Sequence, residues 1–131
     1  KIAQEVQMPQ YVGAAYGQFA WLAWRAGDVD ETLTQAEAAF AEWARFGAEK
    51  TVVTFRWFAV FPFIGAAVQQ NKIERAIHEG ELLLLPAQHR LPDSLTKLLE
   101  GAIAAWQQNK QSVTQALLRQ LVEEAQASLY L

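Results

Sequence analysis

Apolar residues recur along the chain at three- and four-residue intervals, and this period predicts six helices and no strand. From Gln10 to Ala26 the series is Tyr11, Ala15, Phe19, Leu22, Ala23 and Ala26, after a mixed polar lead-in over Lys1–Pro9. The second helix places Val29, Leu33, Ala36, Phe40, Trp43 and Ala44 on one face, against Asp30, Glu31, Gln35, Glu37, Glu42 and Arg45 on the other, and stops at Gly47. The third, about Glu49–Gln70, is apolar on nearly every side from Val52 to Val68, so it needs neighbours on both flanks. Pro62 lies within it and predicts a kink, with a complete break as the alternative. The fourth carries Ile73, Ala76, Ile77, Leu83 and Leu84 and stops at Pro86. The fifth carries Leu95, Leu98, Leu99, Ala102, Ile103 and Trp106. In the sixth, Val113, Leu117, Leu121, Ala125 and Leu129 recur every fourth residue.

The bends between these helices repeat. Val68-Gln69-Gln70-Asn71-Lys72 and Trp106-Gln107-Gln108-Asn109-Lys110 are near copies, and Trp24-Arg25-Ala26-Gly27-Asp28 is a looser third. Gly27 suits a left-handed position after a helix, and Asp28 with Glu31 reads as a capping box for the next. Asn71, Asn109, and Asp93 or Ser94 are expected to cap the fourth, sixth and fifth helices. The turn residues Gly27, Asn71 and Asn109 stand 44 and 38 residues apart, within the range of helix-pair repeats. Four residues before each is alanine (Ala23, Ala67, Ala105), and three before is a large residue (Trp24, Val68, Trp106). Five after it come the compact Thr32, Ala76 and Thr114. The chain thus reads as three helical hairpins, over about 10–47, 49–86 and 93–129, in a single domain.

Composition narrows the function classes. The chain has 131 residues, 52% of them hydrophobic, enough for a real core. The net charge of −3 lacks the basic footprint of a nucleic-acid binder. It has no cysteine, which removes thiolate chemistry and disulfides and fits a cytoplasmic setting. The uncharged run Trp57–Asn71, fifteen residues with Pro62 and two glutamines inside, falls short of the roughly 18 apolar residues of a membrane span. No signal-peptide pattern is visible, and a start at Lys1 leads us to expect a piece of a longer chain.

The first hairpin resembles the tetratricopeptide-type repeat. Phe19-Ala20 stand at its Leu-Gly pair, Gly27-Asp28 at its Gly-Asp turn and Ala39 at its later small position. Thr32, Asn71, Asn109 and Gly80 depart from that pattern, and the repeats exceed its 34 residues. From Phe55 onward, Arg56-Trp57, Leu85–Asp93 and Ala127–Leu131 resemble the C-terminal regions of large bacterial signal-transduction ATPases, of the nucleotidyl-cyclase-linked or transcriptional-activator type. These resemblances imply a right-handed α-α superhelix of the tetratricopeptide-like solenoid kind. They also imply a non-catalytic sensor or scaffold segment, in a parent chain that carries an ATPase or nucleotidyl-cyclase domain.

Among chemistry-bearing residues, His78-Glu79-Gly80-Glu81-Leu82 begins like a zinc-protease helix, but Leu82 holds the place of the second histidine. Asp28, Asp30 and Glu31 belong to a helix's first turn, where negative charge complements the dipole, and Glu79, Glu81, Glu123 and Glu124 read as solvated. No phosphate loop or nucleophile elbow is present, so no catalytic residue, metal or cofactor is assigned. If the first helix of each pair lines a concave face, as the resemblance implies, Trp21, Trp24, Arg25, Phe61, Gln69, Trp106 and Gln107 lie on or near it. Aromatic and arginine side chains are what anchor a protein or peptide partner in such a groove. The polar residues Arg119, Gln120, Glu123, Glu124 and Gln126 suit a capping last helix, with a homodimer face as the competing reading. A closed bundle around an apolar ligand is the alternative architecture.

Overall fold

The three repeated turns share one backbone solution. In the computed structural model, which describes residues 2–45, 56–85, 90–128 and 130–131, with side chains from Tyr11 onward, Gly27, Asn71 and Asn109 have φ of 81°, 59° and 60°. The N–H after each reaches back to the alanine carbonyl: Asp28 to Ala23 at 2.9 Å, Lys72 to Ala67 at 2.7 Å, and Lys110 to Ala105 at 2.9 Å. The turn residue's own N–H donates to Trp24, Val68 or Trp106. This is the Schellman motif, which satisfies carbonyls that a helix end would otherwise strand. Asn71 and Asn109 therefore end helices instead of capping the next ones. The residues in the cap position are Lys72 and Lys110, neither with a side-chain cap bond. Only the Asp28 cap forms as expected, accepting from the Glu31 N–H at 3.0 Å.

These turns separate helices α1 (Ile2–Arg25) from α2 (Val29–Ala44), α3 (Trp57–Gln69) from α4 (Ile73–Leu83), and α5 (Asp93–Gln107) from α6 (Gln111–Ala127). The architecture is all-α, six helices with no strand among the described residues. The expected lead-in is helical from Ile2, since alanine, glutamine, glutamate and methionine there are strong helix formers. Pro92 holds the cap position of α5, in place of Asp93 or Ser94. Helix α3 runs unbroken through Pro62. The expected stops and starts at Gly47, Glu49 and Pro86 lie outside the described residues.

Each hairpin packs on itself, and α3 packs against α1, α2, α4 and α6. Its residues Ala59–Val68 are all buried, as its all-round apolar character requires. Phe63 meets Phe40 of α2 edge-on at 5.1 Å. The repeat alanines Ala23, Ala67 and Ala105 are buried at the closing ends of the hairpins. Thr32 and Thr114, fully buried five residues beyond two of the turns, return their hydroxyls to the carbonyls of Asp28 and Lys110 at 2.6 and 2.9 Å. Side chains tie the turns along one edge, Gln70 to Asp30 at 3.4 Å and Gln115 to Asn71 at 3.2 Å.

Two expected faces are rotated. On α1 the buried residues are Gly13, Gly17, Ala20 and Ala23, while Tyr11, Phe19 and Leu22 are exposed. On α6 the buried stripe is Thr114, Leu118, Leu121, Val122 and Ala125, and Val113 is exposed. Gly80 occupies its unexpected place because Leu99 fills the space: a Cβ there would lie 2.8 Å from the leucine Cδ1. No described helix is long and apolar enough to cross a membrane.

Asn71→Ala and Asn109→Ala are each expected to lower the unfolding free energy by about 1 kcal/mol, because alanine resists the left-handed region. Glycine at either position should keep or raise stability. Urea titration followed by circular dichroism checks both.

Candidate partner-binding groove

Where α1 and α3 end, their last turns run beside α6 and leave an open groove of about 560 Å³ lined by Trp24, Arg25, Val29, Gln69, Gln126 and Leu131. It adjoins a smaller hollow of about 240 Å³ that shares Trp24, Gln69 and Gln126 and adds Arg119 and Glu123. The Trp24 indole is the floor common to both. It is held by Gly65, where a Cβ would fall 2.6 Å from the ring's Cη2, so glycine is what lets α1 and α3 meet at this depth. Arg25 lies with its guanidinium carbon 4.8 Å from the centre of the Trp21 ring, a cation–π arrangement, and its Nη1 donates to the Leu131 carbonyl at 3.4 Å. Trp21 itself stands edge-on to Phe58 at 6.4 Å.

Of the residues nominated from the sequence, Trp24, Arg25 and Gln69 are brought together and Trp21 flanks them. Phe61 is corrected: it is fully buried, its ring 6.2 Å from Tyr130, and serves the core. Trp106, half-buried against the core, and the exposed Gln107 end α5 and line neither hollow. The reason is topological. Helix α3 packs against α6, so the second helix of the third pair supplies the groove's far wall. Gln126, Arg119 and Glu123 were legible as the polar side of α6, but nothing in their spacing indicates which helix they face.

A second cleft, about 410 Å³, lies between α2 and α4. Here Glu79, expected in solvent, is only 4% exposed, and Arg75 joins it at 2.9 Å while also bonding Glu37. Burial alone would lower the Arg75 pKa, but the bond to Glu79 and the charges of Glu37 and Glu79 outweigh it and hold the guanidinium above its ordinary value. The same arginine covers the Phe63 ring at 5.4 Å, and buried Arg56 covers Trp43 at 5.2 Å. His78 on this rim is exposed, and among the described residues no three His, Cys, Asp or Glu side chains gather as metal ligands. His89 lies outside the described residues. The cluster's visible work is to bind α4 to α2 by charge where apolar contact is thin.

Comparison of the chain with protein-family models, with curated proteins and with solved structures finds no match.

Gly65→Ala is expected to push the Trp24 ring outward and destabilise the fold by about 1–3 kcal/mol, with a red-shifted tryptophan emission. Arg75→Met leaves the Glu79 carboxylate buried without its cation and should cost about 1–3 kcal/mol. Glu79→Gln added to it should recover part of that loss in a double-mutant cycle.

Proposed function

We propose that this chain is a non-catalytic protein-interaction module, a regulatory sensor or scaffold segment of a bacterial multidomain signalling or transcriptional-regulatory protein working in the cytoplasm. The observation that carries the reading is the threefold Schellman turn with alanine four residues before each left-handed residue. A recurrent hairpin of this design suits a tetratricopeptide-like repeat, whose task is to present side chains to another protein. The groove fits that task. Its aromatic floor, flanking arginine and glutamines supply the apolar anchor and polar rim typical of a peptide site. The occupant is a protein or peptide segment, either from a partner or from another domain of the same chain.

The alternative architecture, a closed bundle around an apolar ligand, draws on one observation: α6 covers α3 where a regular superhelix would place α5. Against it, the cores of α3 and its neighbours are filled by Phe61, Phe63, Ile64, Leu95 and Leu99, and the groove at Trp24 and the cleft between α2 and α4 are open and partly polar.

The test is capture of partners on immobilised wild type and on an Arg25→Glu/Gln69→Ala variant. Both residues are exposed, so the variant should keep the wild-type circular dichroism spectrum and remain folded at the assay temperature. Loss of a specific partner from the variant, by at least about tenfold, is the expected result. Equal recovery by both folded proteins would remove the groove from consideration.

A further inference from the structure

The outer side of α1 is apolar in a way the rest of the chain explains. At about 100° per residue, Tyr11, Ala15, Gln18, Phe19, Leu22 and Ala26 share the side opposite the buried Gly13, Gly17 and Ala20 and the half-buried Trp24. Tyr11, Phe19 and Leu22 are 66%, 53% and 56% exposed. No charge interrupts α1 from Val6 to Trp24, nineteen residues and a longer uncharged run than Trp57–Asn71. An isolated exposed leucine needs no explanation, but a continuous stripe of this kind does.

The repeat register supplies one. Aligned on their turn residues, Ala15, Gln18, Phe19 and Leu22 of α1 correspond to Ala59, Pro62, Phe63 and Ala66 of α3 and to Lys97, Glu100, Gly101 and Ala104 of α5. On α3 all four positions are buried. The preceding hairpin reaches them: Phe40 of α2 lies against Phe63 at 5.1 Å, and Gly17 of α1 closes over Ala59. On α5 Lys97, Glu100 and Ala104 are exposed, and Gly101 is half-buried beside Leu117. Tyr11 likewise corresponds to Asp93, which is exposed. The same backbone site is thus apolar where a helix covers it and charged where none does. On α1 it carries the composition of the covered case.

We infer that the outer face of α1 is a docking site for an amphipathic helix of the α2 type, belonging to a helical hairpin of another polypeptide segment and laid on α1 in the register by which α2 meets α3. Its chemistry follows from the buried side of α2, Leu33, Ala36, Phe40 and Trp43, of which Phe40 meets Phe63 of α3 and Trp43 meets Gly13 of α1. A second copy of this chain does not supply it. In the folded protein those four side chains are buried, and the free side of α6 offers Arg119, Gln120 and Glu123. The groove's Trp24 lies on the opposite side of α1 and its Gln69 on α3, with Arg25 alone bordering both, so either site can fail without the other.

The probe is a helix-stabilised, fluorescently labelled peptide with the sequence Val29–Ala44, titrated into the full chain and followed by anisotropy. Saturable one-to-one binding is expected, weakened at least about tenfold by Phe19→Asp or Leu22→Asp. Both variants should retain the wild-type circular dichroism spectrum and melting curve, because the side chains replaced are exposed. Gln69→Ala, in the groove on α3, should leave the titration unchanged. Absence of saturable binding, or binding indifferent to Leu22→Asp, overturns the inference. So does a wild-type dimer in light scattering that Leu22→Asp converts to monomer, which would give the face to a second copy.

Discussion

A helix with apolar side chains on every side cannot meet water anywhere along its length, and α3 imposes that demand on the other elements. Burying a side chain such as Phe61, Phe63 or Ile64 contributes about 1.5–3 kcal/mol each, provided all sides are closed. Closure requires α1 and α2 on one flank and α4 and α6 on the others. The small residues sit where that enclosure would otherwise fail. Gly65 admits the Trp24 ring of α1, Gly13 the Trp43 ring of α2, and Gly80 the Leu99 side chain. The repeated turns then fix the angle at which each pair returns, because a left-handed residue with two reciprocal backbone bonds leaves little freedom.

Much of this is written locally. The left-handed positions are legible because glycine and asparagine tolerate positive φ, and the offset alanines because close hairpin ends admit little else. The burial of α3 follows from its composition alone. What misleads is that Asn71 and Asn109 serve equally well as caps or as left-handed terminators, and only the backbone angle separates the two roles.

The faces of α1 and α6 are less legible, for a different reason. Periodicity reports where apolar residues lie and is silent about which of two apolar sides faces inward. Helix α1 has two such sides, and the smaller residues won the interior because α2 and α3 approach it closely. Charge alone marks Glu79 as solvated, yet Arg75 on the same helix pairs with it one turn away. The groove was half visible: Trp24, Arg25 and Gln69 follow from the turn register, while the α6 wall depends on a contact between helices more than forty residues apart.

That contact also governs how the molecule comes apart. In an array where each pair touches only its neighbours, stability accumulates link by link and the ends can fray independently. Helix α6 skips over α4 and α5 to lie on α3, so the last pair cannot detach without stripping cover from the centre of the first two. Such closure favours cooperative unfolding over independent fraying of the ends, and it rests on contacts of long sequence separation, which slow the search for the native state.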